Sequence, residues 1–80
     1  MDLSAYTSGQ YYTTSSDGYL RSYAPADAYV IYRIYGASGT KFVYDETANT
    51  ARHVIYLKKG MRIELRAKSG SIELAFNPLV

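Results

Sequence analysis

The fold is predicted most directly by residues 61–76, which read MRIELRAKSGSIELAF. From Met61 to Ala67, every second residue is apolar and the residues between them are charged, which is the period of a half-buried strand. Residues 71–76 repeat this alternation. Gly70, between the two runs, can adopt the positive φ that a tight turn needs. We therefore expect two strands joined as a hairpin.

The same reading extends towards the N-terminus. The turn Lys58-Lys59-Gly60 predicts a second hairpin, which joins a strand near residues 54–57 to the strand at residue 61. Further strands are expected at four places: residues 11–14, 18–23, 29–35 and 41–46. About seven short strands with frequent turn signals are typical of an all-β fold, here a small antiparallel β-sandwich or jelly-roll-like barrel. We expect residues 1–9 to be a flexible arm and residues 10–80 to form a single domain.

Composition argues against most chemistry. The chain has no Cys and one His, His53, so neither a disulfide nor a four-ligand zinc site is expected. No nucleophile with an adjacent base is evident, and we expect no enzymatic activity, no cofactor and no metal. The polar run Asp45-Glu46 with Asn49 is the alternative for a cation, but a solvated loop explains it equally well.

Charge and hydropathy limit the classes of partner that we expect. The net charge is +2, with no dense basic patch, so nucleic acid is not an expected partner. No run approaches the roughly 18 apolar residues that span a bilayer, and residues 1–9 do not have the pattern of a signal peptide. An eighty-residue chain buries only about 60% of its unfolded surface, so association with other chains is the expected source of extra stability.

The ten tyrosines point to surfaces that a partner covers. In residues 29–35, Val30, Tyr32 and Ile34 form one face, and the opposite face is also largely apolar. Only one face of this strand can meet the core of a small sandwich. We therefore predict that the second face is an oligomer interface, although its tyrosines could instead lie flat with their hydroxyls in water. The predicted interface residues are Tyr29, Ile31, Arg33 and Tyr35.

A second group of tyrosines lies in the N-terminal strands. Aromatic rings on an exposed sheet can stack against sugar rings or pack against a protein. We predict that four of them form a partner or ligand surface: Tyr11, Tyr12, Tyr19 and Tyr23.

Three segments resemble small β-sandwich domains of tailed-phage virions, found in tail fibres, head fibres and capsid decoration proteins. Residues 12–20 (YTTSSDGYL) are similar to a polar lead-in followed by Ser-Asp-Gly-Tyr. Residues 54–63 (VIYLKKGMRI) are similar to their apolar strand, Lys-Lys-Gly turn and following strand. Residues 71–79 (SIELAFNPL) are similar to their closing strand with an aromatic-x-Pro-Leu tail. The resemblance covers residues 10–80 and implies a compact sandwich, often trimeric, that is structural or contacts the host.

These readings combine into one leading hypothesis and two alternatives. The leading one is a non-enzymatic phage or prophage virion structural protein that self-associates through tyrosine-rich strands, with a homotrimer favoured. It would be made in the host cytoplasm without a signal peptide and end in the virion. The alternatives are an adhesion module that binds a cell-surface saccharide, and a small inhibitor of another protein.

Overall fold

The computed structural model describes residues 1–36, 42–48 and 52–79, with the backbone alone over 42–48. All the regular structure in these residues is β, and none of them is helical, as the alternation predicts. The strands are β1 (Tyr11–Thr13), β2 (Gly18–Tyr23), β3 (Tyr29–Tyr35), β4 (Phe42–Ala48), β5 (Arg52–Leu57), β6 (Arg62–Ser69) and β7 (Glu73–Pro78).

The strands form two antiparallel sheets, one in the order β1-β6-β3-β4 and the other in the order β5-β2-β7. Three of the pairs are nested along the chain: β1 with β6, β2 with β5, and β3 with β4. This is the pairing of one long hairpin whose successive strand pairs alternate between the sheets. Strand β7 then joins the free side of β2.

Both predicted hairpins are wrong. Strands β5 and β6 lie in different sheets, and so do β6 and β7. Period-two alternation is the same whether a turn reverses the chain within a sheet or carries it to the other sheet, so the pattern could not separate the two. Gly70 does have a positive φ, 78°, but it serves a crossing between sheets.

Nesting places the crossings side by side, where they bond to each other. Thr14, which follows β1, is buried and donates its hydroxyl to the Lys58 carbonyl at 2.8 Å. The Thr14 amide donates to the Met61 carbonyl at 2.8 Å, and the Gly60 amide donates to the Thr14 carbonyl at 2.9 Å. The backbone of the Lys-Lys-Gly turn is therefore fixed by the β1–β2 connection.

One cluster of buried side chains draws on both sheets. Leu65 and Phe76 are almost fully buried, which confirms the side of the strand that each was expected to face. Tyr32 is also fully buried, and its hydroxyl lies 2.9 Å from the buried Ser22 hydroxyl. Since β2 and β3 belong to different sheets, this hydrogen bond links the sheets through the core.

An irregularity in β6 changes which residues face inward near its end. Ile31 pairs with Ala67 and Tyr32 pairs with Leu65, so Arg66 is the extra residue of a bulge. Paired residues share a face. Ala67 therefore lies beside Ile31 on the outer face, not with Leu65 as the uninterrupted alternation predicted.

The first residues do not form a loose arm. Leu3 is fully buried, and its amide donates to the Leu74 carbonyl at 2.7 Å. The Met1 amino group donates to the Phe76 carbonyl at 2.8 Å, and Asp2 forms a bridge with Ala75. The prediction of a flexible arm over residues 1–9 disagrees with these contacts. A single buried leucine in a polar segment was too weak a signal to predict them.

Candidate binding surfaces

The outer face of the three-stranded sheet is a grid whose rows are set by strand register. Each outward residue of β2 lies between one residue of β5 and one of β7. The rows are Tyr56-Tyr19-Asn77, Val54-Arg21-Ala75 and Arg52-Tyr23-Glu73. The sheet therefore combines an apolar corner with a charged end.

The apolar corner, which we call the β5–β2 patch, consists of Tyr19, Val54 and Tyr56. Their exposed fractions are 41%, 59% and 45%. The rings of Tyr19 and Tyr56 meet edge to face, with centroids 5.4 Å apart and planes inclined at 61°. This geometry is a favourable one for an aromatic pair, and it leaves much of both rings in solvent.

Asp17 fixes one ring of the patch. Its carboxylate accepts the Lys59 amide at 2.8 Å and the Tyr56 hydroxyl at 3.1 Å. These bonds, first from the Lys59 amide and then from the Tyr56 hydroxyl, lower the pKa of Asp17. The bond to the carboxylate favours the protonated phenol and raises the pKa of Tyr56. Tyr56 is therefore held in place although nearly half of it is exposed.

At the other end of this face, two arginines are engaged by neighbouring side chains. Arg52 lies 2.6 Å from the Glu73 carboxylate, and its guanidinium is 4.7 Å from the centroid of the Tyr23 ring. Arg21 donates to the Asn77 side chain at 2.7 Å. Tyr23 is thus partly covered by its own neighbours and is less open to a partner than Tyr19.

The outer face of the four-stranded sheet is organised around Arg62. Its guanidinium carbon lies 4.4 Å from the centroid of Tyr35 and 4.8 Å from that of Tyr11, which we call the Arg62 stack. The Tyr35 hydroxyl donates to Glu64 at 3.0 Å, and Arg66 lies 3.4 Å from the same carboxylate. One cation therefore occupies the space between two aromatic rings within a single subunit.

The predicted interface residues share this outer face but differ in exposure. Tyr29 is 39% exposed, whereas Ile31, Arg33 and Tyr35 are half-buried. Tyr35 belongs to the Arg62 stack, and Arg33 lies opposite Glu64 in the register. Tyr29 and Ile31 are consequently the members that a partner could reach most directly.

The four tyrosines predicted as a ligand surface do not lie together. Tyr11 is 55% exposed on the four-stranded sheet, while Tyr19 and Tyr23 lie on the other sheet. Tyr12 is half-buried against the core, with its ring centroid 5.9 Å from that of Phe76. Sequence neighbours were grouped, but the β1–β2 connection places them on different sheets.

Sequence reasoning missed the contribution of Val54 and Tyr56 to the β5–β2 patch. Their alternation with His53 and Ile55 shows only that they share a side of β5. Their position next to Tyr19 and Arg21 depends on the pairing of β5 with β2, across more than thirty intervening residues. The alternation in β5 could have shown that Val54 and Tyr56 share an exposed side. It could not have shown that β5 pairs with β2.

Within the part of the chain that the structure describes, no three His, Asp or Glu side chains come close enough to hold a metal ion. The carboxylates of Asp45 and Glu46, and the whole of Asn49, lie outside the described residues. The described segments contain no helix long and apolar enough to cross a membrane.

Comparison with known proteins identifies no relative of this chain. No protein-family model, no curated protein and no solved structure matches the chain. The geometry of the sheets and of their outer faces is therefore the basis on which a function is proposed.

Proposed function

We propose that the chain is a non-enzymatic structural domain of a tailed-phage virion, of the capsid decoration, head-fibre or tail type, which assembles with copies of itself. The observation that carries the proposal is the nested strand pairing around one core, with aromatic and aliphatic side chains left exposed outside it. Self-association would cover those side chains. The resemblance of residues 10–80 to virion domains supplies the biological setting and favours a trimer.

The finer architecture that we propose is a small jelly-roll-like sandwich. A jelly roll is a double sheet produced when a long antiparallel hairpin rolls up, and the pairs β1–β6, β2–β5 and β3–β4 have that nesting. The buried side chains of both sheets belong to one cluster, as two sheets packed face to face require. Such a double sheet has two outer faces, and both are open to assembly.

Two faces compete for the self-association. The β3 face predicted from the sequence offers Tyr29 and Ile31, whereas Arg33 and Tyr35 already have neighbours in the subunit. The β5–β2 patch offers three adjacent side chains that are each more exposed than Tyr29. Exposed apolar groups grouped in this way are typical of surfaces that contact another protein.

Sedimentation of the purified full chain tests the proposal and separates the faces. We expect the wild type to sediment above the monomer mass at high micromolar concentration. Ile31→Asp should reduce the mass if the β3 face is used, and Val54→Asp should do so if the patch is used, because each places a charge in an apolar contact. Thr13→Asp, at an exposed position of β1, is the control. A monomer at every concentration would contradict self-association.

The virion setting needs its own test. A tagged chain should recover capsid or tail proteins from lysates of the native host in which phage particles are being assembled. Recovery of a single cellular enzyme instead would favour the inhibitor reading and contradict the virion role.

A saccharide is the second candidate partner, and the exposed Tyr19–Tyr56 pair favours it. Both rings are partly exposed, and the apolar side of a sugar can stack on an exposed ring face. On a glycan array, Tyr19→Ala should remove binding, while Tyr11→Ala, on the other sheet, should leave it unchanged. If the wild type binds no glycan, this candidate is rejected and the assembly role is unaffected.

A further inference from the structure

The two edges of the three-stranded sheet are not equivalent. At the β7 edge, the N-terminal segment makes backbone bonds: Leu3 donates to Leu74, and Phe76 donates to the Met1 carbonyl at 2.8 Å. At the other edge, β5 is the last strand of the sheet among the described residues. The amides and carbonyls on that side of β5 are the groups to which another strand could bond.

Strand β5 has few of the features that prevent edges from pairing. It contains neither Gly nor Pro, and its register with β2 runs without a bulge from Arg52 to Leu57. Edges are normally protected by Pro, bulges, very short strands or inward charges. Among the described residues, the four-stranded sheet ends in β1 and β4. β1 is only three residues long, and β4, with seven, has a register shift against β3 between Ile34 and Tyr35. The uninterrupted β5 edge is therefore better suited to accept a strand.

We infer that β5 pairs antiparallel with β5 of a second copy of this chain, about a two-fold axis at Val54. This inference rests on the proposed self-association and adds one contact to it. A two-fold contact does not occur within a cyclic trimer, so it would join two single copies or link two trimers. A two-fold axis perpendicular to the sheet pairs residues of the same face, so the axis must pass through a residue position.

Charge selects the register. With the axis at Val54, Arg52 lies opposite Tyr56 of the second copy, and the two exposed Val54 side chains meet. With the axis at Ile55, Arg52 would lie opposite Lys58 of the second copy, and like charges placed directly opposite destabilise a strand pair. The first register places Arg52 opposite an uncharged side chain and avoids this repulsion.

The pairing would join two three-stranded sheets into one of six strands. The β5–β2 patches of the two copies would then lie next to each other on its outer face, which adds apolar contact to the backbone bonds. Six residues bury little area, and contacts below about 1,200 Å² are typical of transient complexes. We therefore expect this contact to be short-lived, so that trapping is needed to detect it at low protein concentration.

Disulfide trapping tests the inference, because the native chain has no Cys. On the two-fold axis, the Cβ atoms of two Val54→Cys chains would be about 4.5–5.5 Å apart, close enough to be bridged with a small adjustment. Tyr11→Cys, at a site that is 55% exposed against 59% for Val54, is the matched control on the other sheet. Pairing raises the effective concentration of the two thiols, so we expect Val54→Cys dimers to form at least about tenfold faster.

Mixed variants test the register. Arg52→Cys and Tyr56→Cys chains should form heterodimers in preference to either homodimer. Preferred heterodimers of Val54→Cys with Tyr56→Cys would overturn the axis at Val54 and place it at Ile55.

The outcomes separate this inference from the proposal on which it rests. Equal trapping rates for Val54→Cys and Tyr11→Cys overturn the β5 contact. If the wild type nevertheless sediments above the monomer mass, self-association stands and uses another surface. If it is also monomeric, both fail. A comparison of Val54→Lys with Val54→Thr gives a check that needs no oxidation. Two lysines would face each other across the two-fold axis and repel, so only Val54→Lys should lower the sedimented mass.

Discussion

The outer faces of the two sheets carry similar residues, but the neighbours of their tyrosines differ. On the four-stranded sheet, Arg62 lies between the rings of Tyr35 and Tyr11, and Tyr35 also bonds to Glu64. On the three-stranded sheet, the arginines are engaged at one end, and the β5–β2 patch at the other end is open. On the first face, Tyr35 and Tyr11 contact an arginine although Tyr11 stays 55% exposed, and on the second face two rings and a valine are exposed together.

This difference shows why tyrosine content alone does not locate an interface. A tyrosine beside an arginine gains a cation–π contact and partial cover from its own chain. A tyrosine beside valine and another tyrosine gains apolar contact but stays exposed. The neighbours supplied by strand register therefore decide which tyrosines are left for a partner.

The largest expected effect concerns the shared core, where the two sheets should behave alike. Leu65→Ala removes a buried side chain from the four-stranded sheet, and Phe76→Ala removes one from the three-stranded sheet. Each should lower the free energy of unfolding by about 2–5 kcal/mol, because apolar contact is lost and a cavity remains. Urea denaturation measures this, with the exposed Leu79→Ala as control. A large cost for only one of the two would mean that the sheets do not share one core.

A smaller effect should distinguish the arginines of the two outer faces. Arg62→Ala removes two ring contacts from a half-buried guanidinium and should cost about 1–2 kcal/mol of unfolding free energy. Arg52→Ala removes one ring contact and an exposed ion pair, and should cost less than about 1 kcal/mol.

The same urea experiment measures both arginine variants. Arg62→Lys is the control that keeps the charge but loses the planar stack, and it should recover only part of the loss. Equal costs for Arg62→Ala and Arg52→Ala would remove the distinction between the faces.

The smallest expected effect is on how the stability of the chain depends on pH. Hydrogen bonds from the Lys59 amide and the Tyr56 hydroxyl hold the pKa of Asp17 in the folded chain below the ordinary value of an aspartate. Its stabilising contribution is therefore fully present above the unfolded-state pKa and is lost as the pH falls through the folded-state pKa. Wild type should be more stable than Asp17→Asn at neutral pH, and the gap should narrow in acid. The urea midpoints at several pH values check this, and a gap independent of pH would contradict it.

Much of the fold was predictable because strands leave a local signal. The alternation identified Gly18–Tyr23 and Tyr29–Tyr35 with the bounds that the structure gives them, and it identified the buried side of Leu65 and Phe76. The pairing of the strands depends on residues that are far apart in the sequence. A turn residue such as Gly60 or Gly70 is compatible with a hairpin and with a crossing between sheets. The nested pairing could therefore not be predicted from these residues.

The candidate surface was predictable only in part, for the same reason. Tyr19 was identified as an outward tyrosine, whereas Val54 and Tyr56 become its neighbours only through the pairing of β5 with β2. Tyr12 was expected at the surface, but the short β1 brings it against Phe76. Exposure is a property of the assembled sheets, and the sequence pattern reports one strand at a time.

Hydrogen–deuterium exchange of the wild-type chain at low and high protein concentration tests the central claim most directly, that a second copy binds at the three-stranded sheet. We predict that the amides of β5 exchange more slowly as concentration rises, while those of β1 do not change, because a second copy bonds to the β5 edge. Exchange in β5 that is independent of concentration, or slowing confined to β1, would contradict the claim.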